Sequence, residues 1–181
     1  MKLYPFIPLS QRKFFLLFFI LSASYLVLSC TKPPEPEVIE AQKNISQINK
    51  ETMNTRIATF AGGCFWCTEA ALQPLPGVID AISGFAGGTE VDPSYEDVVR
   101  KKTSHREAVQ VTYDADAIDY EDLLDAYWRH IDPTDPGGQF ADRGDSYKTA
   151  IFYHNEDQRL AAESSTEELE NLSLIHISEP T

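Results

Sequence analysis

Arg56-Ile57-Ala58-Thr59-Phe60-Ala61-Gly62-Gly63-Cys64-Phe65-Trp66-Cys67-Thr68-Glu69-Ala70-Ala71-Leu72 reads as a strand, a glycine turn and the start of a helix, in that order. Residues 56–61 alternate and are β-prone, and Gly62-Gly63 permits a tight turn that side chains would obstruct. From Cys64 to Gln73 there is no glycine or proline, residues 68–72 suit a helix, and Pro74, Pro76 and Gly77 stop it. Cys64 therefore stands at the first turn of a helix that a strand delivers, where the helix N-terminus favours a thiolate.

Downstream, residues 78–83 form a second apolar run, followed by Gly84-Phe85-Ala86-Gly87-Gly88, which reads as a glycine-rich loop. A helix is expected from Asp92-Pro93-Ser94 to about Lys102, with Ser94 as its cap. Residues 106–113 alternate as a strand, with Val109, Val111 and Tyr113 on one face and Glu107 opening that face. Tyr120, Leu123, Leu124, Tyr127, Trp128 and Ile131 recur at helical spacing behind a capping Asp119. Residues 132–147 carry two prolines, three glycines and the aspartates Asp132, Asp135, Asp142 and Asp145, a loop long enough to suggest function. A short strand (149–153) and an acidic helix from Asn155 to about Glu170 close the pattern. Strands and helices thus alternate without an internal repeat. The expected fold is α/β of the α+β kind: a two-layer sandwich of a mixed β-sheet with packed helices, ferredoxin-like. The order of the strands is not in the sequence.

The two cysteines of the opening stretch admit several readings. Cys64 and Cys67 could be half of a zinc site, but there is no second cysteine pair, and His105, His130, His154 and His176 lack ligand spacing, so no metal is expected. They could be a redox pair of the thioredoxin kind, which needs a strand before and a helix after. Phe65 and Trp66 are either ordinary core aromatics or an apolar wall able to accept a methylthio group. Taken alone, Glu107 reads as a surface carboxylate paired with Arg106 or Lys148, Tyr95 and Tyr147 as half-buried packing residues, and Asp142 as a turn residue.

Gly63-Cys64-Phe65-Trp66 resembles the active-site signature of the A-type peptide methionine sulfoxide reductases. The resemblance continues through Leu75-Pro76-Gly77-Val78, Gly84-Phe85-Ala86-Gly87-Gly88, Asp92-Pro93-Ser94-Tyr95, His105-Arg106-Glu107-Ala108-Val109 and the run from Gln139 to Tyr147. It implies Cys64 as nucleophile, Glu107 as proton donor to the sulfoxide oxygen, Tyr95 and Tyr147 as hydrogen-bond donors to that oxygen, and Asp142 as a supporting polar residue. It also implies reduction of the S epimer of methionine sulfoxide, free or in proteins, with no bound cofactor and an external thioredoxin-like reductant. Phe85 stands where the family often has tyrosine. The family's resolving cysteines commonly lie near the C-terminus, where this sequence has none, which leaves Cys67 as the nearby thiol able to condense with a sulfenic acid on Cys64.

The ends read differently. Lys2, Arg12 and Lys13 precede an apolar run over residues 14–28, with no acidic residue before Glu35. That is the pattern of an export signal, and the run is short for a span of about 20 residues. Val27-Leu28-Ser29-Cys30 resembles the processing box of bacterial lipoproteins, in which Cys30 would carry the lipid. Residues 1–29 are thus expected to be a lipoprotein signal, and 30–54, beginning Thr31-Lys32-Pro33-Pro34-Glu35-Pro36-Glu37, a tether. Residues 55–171 would be the reductase domain, C-terminally truncated, and 172–181 an artefactual tail. The expected protein is an exported, membrane-anchored bacterial lipoprotein facing the periplasm or cell exterior, and a monomer. Its formal charge of −13 makes nucleic acid an improbable partner.

Overall fold

The computed structural model describes residues 6–8 and 53–171. Their strands are β1 (Ile7–Pro8), β2 (Thr55–Ala61), β3 (Val78–Ala86), β4 (Arg106–Asp114), β5 (Gly138–Gln139), β6 (Asp142–Arg143) and β7 (Ala150–Phe152). The helices are α1 (Phe65–Leu72), α2 (Tyr95–Val99), α3 (Tyr120–His130) and α4 (Glu156–Asn171), with a single 3-10 turn at Asp145–Tyr147. Cys30, most of the expected leader and tether, and the tail 172–181 lie outside the described residues.

Five strands form one sheet in the order β1-β3-β4-β2-β7, and β5 and β6 form a separate two-stranded ladder. Every described ladder is antiparallel, which corrects the expectation of a mixed sheet. The cause is insertion. β2 and β3, joined through α1, run in the same direction but β4 lies between them; β4 and β7, joined through α3, run in the same direction with β2 between them. These two interleaved split β-α-β units are the ferredoxin-like arrangement.

β4 is central, and its Val109, Val111 and Tyr113 join Phe60 of β2 in the main core beneath the helices. Phe60 stacks on Tyr120 and Tyr127 of α3, with ring centroids 6.1 and 5.0 Å apart. Burial of each such aromatic contributes about 1.5–3 kcal/mol. The register of α3 is set by a full capping box between Asp119 and Asp122. The opposite face of the sheet carries mainly small residues, Ala61, Ala86, Ala108 and Ala150, gathered around Phe152.

Two boundaries differ from the sequence reading. Gly84-Phe85-Ala86 belongs to β3 rather than to a loop, because its backbone pairs with β4 on one side and β1 on the other. The helix expected to reach Lys102 stops at Val99. There Lys101 takes φ +59°, Lys101 N donates to Val98 O and Lys102 N to Asp97 O, a Schellman closure achieved without glycine. Ser94 caps that helix as expected, accepting from Asp97 N at 3.2 Å.

Candidate active site

The end of β2 is fixed by the Tyr127 hydroxyl, which donates to Ala61 O at 2.8 Å. The next two positions tolerate only glycine. A Cβ at Gly62 would lie 2.9 Å from Ile131, and at Gly63, where φ is +86°, 2.6 Å from the Gln139 Cβ. The turn places Cys64 as the N-cap of α1, its carbonyl accepting from Cys67 N (3.0 Å) and Thr68 N (3.1 Å). The thiol takes no part in capping. Instead the first free amide of the helix, Phe65 N, donates to Glu107 Oε2 at 3.1 Å. A carboxyl from β4 therefore reaches the helix end that carries Cys64.

Glu107 is 2% exposed, so its reading as a surface carboxylate is corrected. The cations proposed for it are engaged elsewhere: Arg106 donates to Thr149 O at 2.6 Å, and Lys148 pairs with Asp145 at 2.7 Å. Burial pushes the Glu107 carboxyl up to about 7, opposed by the Phe65 hydrogen bond and assisted by the charge of Asp142. Glu107 can thus hold a proton at neutral pH.

The charges of Glu107, Asp142 and Cys64 all act on Tyr95, Tyr147 and Cys67. Burial raises the Tyr147 hydroxyl to about 12, with Glu107, Tyr95, Asp142 and Cys64 as further causes. Tyr95 is raised by burial and then by the charges of Glu107, Cys64 and Asp142. Both phenols stay protonated and remain donors. The Cys67 thiol is raised first by its hydrogen bond with Cys64 and next by burial, and both remain free cysteines.

Phe65, Trp66, Phe85 and Tyr95 form an aromatic group, with Phe65 5.3 Å from Trp66 and 5.9 Å from Phe85, and Tyr95 6.3 Å from both Phe65 and Trp66. The two residues after Cys64 differ in exposure. Phe65 is buried at 1% exposure and backs the group from within, whereas Trp66, at 58%, offers its ring to solvent. Two clefts, of about 230 and 470 Å3, lie around α3 and α4, and none of these residues lines either. Among the described residues no group of three or more His, Cys, Asp or Glu is placed to hold a metal ion, and no helix is long and apolar enough to cross a membrane.

Several supporting residues were not singled out from the sequence. Gln139, 1% exposed, accepts from Asp132 N at 2.7 Å and donates to Asp132 O and Gly138 O, both at 2.8 Å. It clips the loop bearing Asp142 and Tyr147 against Gly63. Glu69 ties α1 to β3 by accepting from Ser83 N (3.0 Å) and Ser83 Oγ (2.5 Å). His105 accepts from Gly88 N at 3.2 Å and bonds Glu90 O at 2.9 Å, holding the turn that leads to Tyr95. A buried glutamine or histidine gives no period or motif of its own; the available signal was the neighbouring glycine, since Gly63 and Gly88 both lack room for a Cβ against these side chains.

Residues 56–177 match the family model described as "Peptide methionine sulfoxide reductase". The chain belongs to the peptide methionine sulfoxide reductase family. The family's MsrA from Bacillus licheniformis is 56% identical over 113 residues, covering 62% of this chain and 62% of that protein. The MsrA/MsrB protein of Vibrio cholerae is 47% identical over 135 residues, covering 75% of this chain and 36% of that protein. The chain thus spans less than two thirds of the length of these relatives. Among solved structures, methionine sulfoxide reductase A of Corynebacterium diphtheriae superposes with TM-score 0.63 at 28% identity, over 70% of this chain and 63% of that one. Mxr1 of Saccharomyces cerevisiae in reduced form gives 0.65 at 29% identity, over 70% and 76%. The family's α+β fold is the one described above.

Proposed function

We propose that this reductase domain returns methionine S-sulfoxide, free or within proteins, to methionine, in repair of oxidative damage. The observation that carries the reading is the 3.1 Å bond from Phe65 N to a buried Glu107 whose carboxyl sits near 7. It couples a proton source to the helix end that presents the nucleophile. The Cys64 thiolate attacks the sulfoxide sulfur as Glu107 protonates the sulfoxide oxygen, which Tyr95 and Tyr147 hold by hydrogen bonds; the hydroxyl then passes from the methionine sulfur to the Cys64 sulfur as the bond between the two sulfurs breaks. One thiolate, one sulfoxide and one proton thereby give a thioether and a sulfenic acid on Cys64. Trp66, backed by Phe65, supplies the apolar contact for the substrate methyl group, and Asp142 supports the polar side of the site.

Cys67 then attacks the Cys64 sulfenic acid, forming a disulfide and releasing water. The influence of Cys64 on the Cys67 thiol, the largest cause of its raised pKa, supports this role. A thioredoxin-like dithiol supplies the two electrons that reopen the disulfide. The chain works as a monomer anchored through a lipid on Cys30, facing the periplasm or cell exterior, a reading supported by the basic and apolar pattern before Cys30 and the proline-rich acidic stretch after it.

The experiment is turnover of free and peptide-borne methionine S-sulfoxide by the wild type, Cys64→Ser and Glu107→Gln, with mass mapping of the thiols after one turnover. Both variants should lose reduction of both substrates, and the wild type should show a Cys64–Cys67 disulfide. Undiminished turnover in Cys64→Ser rejects the mechanism, while a lasting sulfenic acid beside a free Cys67 rejects only the resolving role.

A further inference from the structure

The outer edge of β3 has a partner from far away in the chain. Ile7 and Pro8 lie opposite Phe85 and Gly84, pairing only the last part of a nine-residue strand. The approach is close: a Cβ at Gly84 would overlap the Ile7 carbonyl oxygen and come within 2.6 Å of the Phe6 ring. Ile7 packs against the main core, on the helix side of the sheet, and Phe6 against the alanine cluster on the opposite face. The edge therefore already accepts an extended segment with side chains seated alternately on both faces.

That edge adjoins the site. Phe85 stands opposite Glu107 on one side and Ile7 on the other, and its ring lies 5.9 Å from that of Phe65. A strand laid along β3 at Phe85 turns every second side chain to the face that carries Glu107 and the aromatic group. Continued in the same register it passes Gly87, beyond which the chain leads to Tyr95. An unpaired edge offers main-chain donors and acceptors to any extended chain, independent of its sequence.

We propose that the outer edge of β3 docks extended polypeptide carrying methionine sulfoxide by strand addition, and that residues 6–8, part of the leader ahead of Cys30, occupy the same place in the uncleaved chain. The inference rests on the reductase reading and adds to it a substrate class, flexible or unfolded segments recognised through their main chain. It also adds a competition confined to the uncleaved chain, in which residues 6–8 must leave before a substrate strand can pair; processing ahead of Cys30 removes them and frees the edge. The free amino acid offers too little main chain to pair with the edge and is indifferent to that competition.

The test uses the full, uncleaved chain as wild type, as the double variant Phe6→Asp/Ile7→Asp and as Gly84→Val. Turnover is measured on free methionine sulfoxide and on a short extended peptide with a single methionine sulfoxide. Removing the internal competitor should lower KM for the peptide by about threefold or more, with kcat and turnover of the free amino acid unchanged. Gly84→Val should raise KM for the peptide relative to the free amino acid by about fivefold or more. In parallel, hydrogen exchange of residues 83–86 is followed with the reduced peptide, which binds without reacting. It should slow on peptide addition, more in the double variant than in wild type, and not with a peptide N-methylated along its main chain. Equal peptide KM in all three forms, or equal protection by the N-methylated peptide, overturns the docking edge. Absence of turnover on either substrate by the wild type overturns the reductase reading instead, and the exchange measurement still decides the edge.

Discussion

At the scale of single residues the proposed reaction turns on the proton of Glu107. With its carboxyl at about 7, the acid form is held below that pH and lost above it, so kcat/KM for methionine sulfoxide should fall along an alkaline limb with an apparent pKa near 7. Glu107→Gln can still accept from Phe65 N, and should lower kcat/KM by about 10²- to 10⁴-fold while erasing that limb; a limb that persists in the variant assigns the titration to another group. The same proton bears on folding. A buried acid whose folded pKa is raised from 4.5 lends stability that is full below 4.5 and lost as pH rises through 7. Its loss amounts to at most about 3 kcal/mol. Urea unfolding of wild type and Glu107→Gln between pH 4 and 8 should show the wild type declining more steeply. The place of Cys64 at a helix start was legible from its neighbours, since two glycines, a cysteine and a helix start lie in one stretch. The environment of Glu107 was not. Its partner, Phe65 N, is 42 positions away, and the residues around it on its own strand gave the opposite reading, so only the family resemblance placed it.

At the scale of elements, the turn between β2 and α1 is where sequence and site geometry meet. Gly63→Ala puts a side chain into a left-handed backbone at φ +86° and against Gln139. The backbone change alone costs about 1–2 kcal/mol. Relief requires the turn or the 132–147 loop to move, and a displacement of about 1 Å in a catalytic group can cost on the order of 100-fold in rate. Gly63→Ala should therefore lose activity out of proportion to its fall in urea midpoint. Asp119→Ala is the contrasting case: it removes one half of the α3 capping box, far along the chain from Cys64, and should cost about 1 kcal/mol of stability with kcat/KM retained. A variant of Gly63 that keeps full activity, or an Asp119 variant that loses it, would mean that the turn does not position the nucleophile as described. Strands and helices with a clear period, such as β2, β4 and α3, were legible within a residue or so of their observed ends. β3 was cut short at Gly84 because glycine reads locally as a loop. Pairing on both sides, which no local window contains, keeps it a strand through Ala86.

At the scale of the molecule, strand order was unreadable because each parallel-running pair is separated by a third strand from elsewhere in the chain. Composition, by contrast, is a global property and was legible at once. With 28 acidic against 15 basic residues, the chain carries a net field that favours approach of basic polypeptide and opposes acidic polypeptide. Such steering acts over a screening length of about 30 Å at 0.01 M salt and about 8 Å at 0.15 M. Two peptides of equal length, one flanking its methionine sulfoxide with lysines and the other with glutamates, should therefore differ in kcat/KM at low salt, the basic one being reduced faster. The gap should close as salt is raised. Free methionine sulfoxide, a zwitterion without net charge, serves as the internal reference and should change little over the same range. A ratio of basic to acidic peptide that stays constant from 0.01 to 0.5 M salt would assign the preference to contacts at the rim of the site. A ratio that decays toward one assigns it to the acidic surface as a whole, because only long-range attraction is lost to screening while short contacts persist.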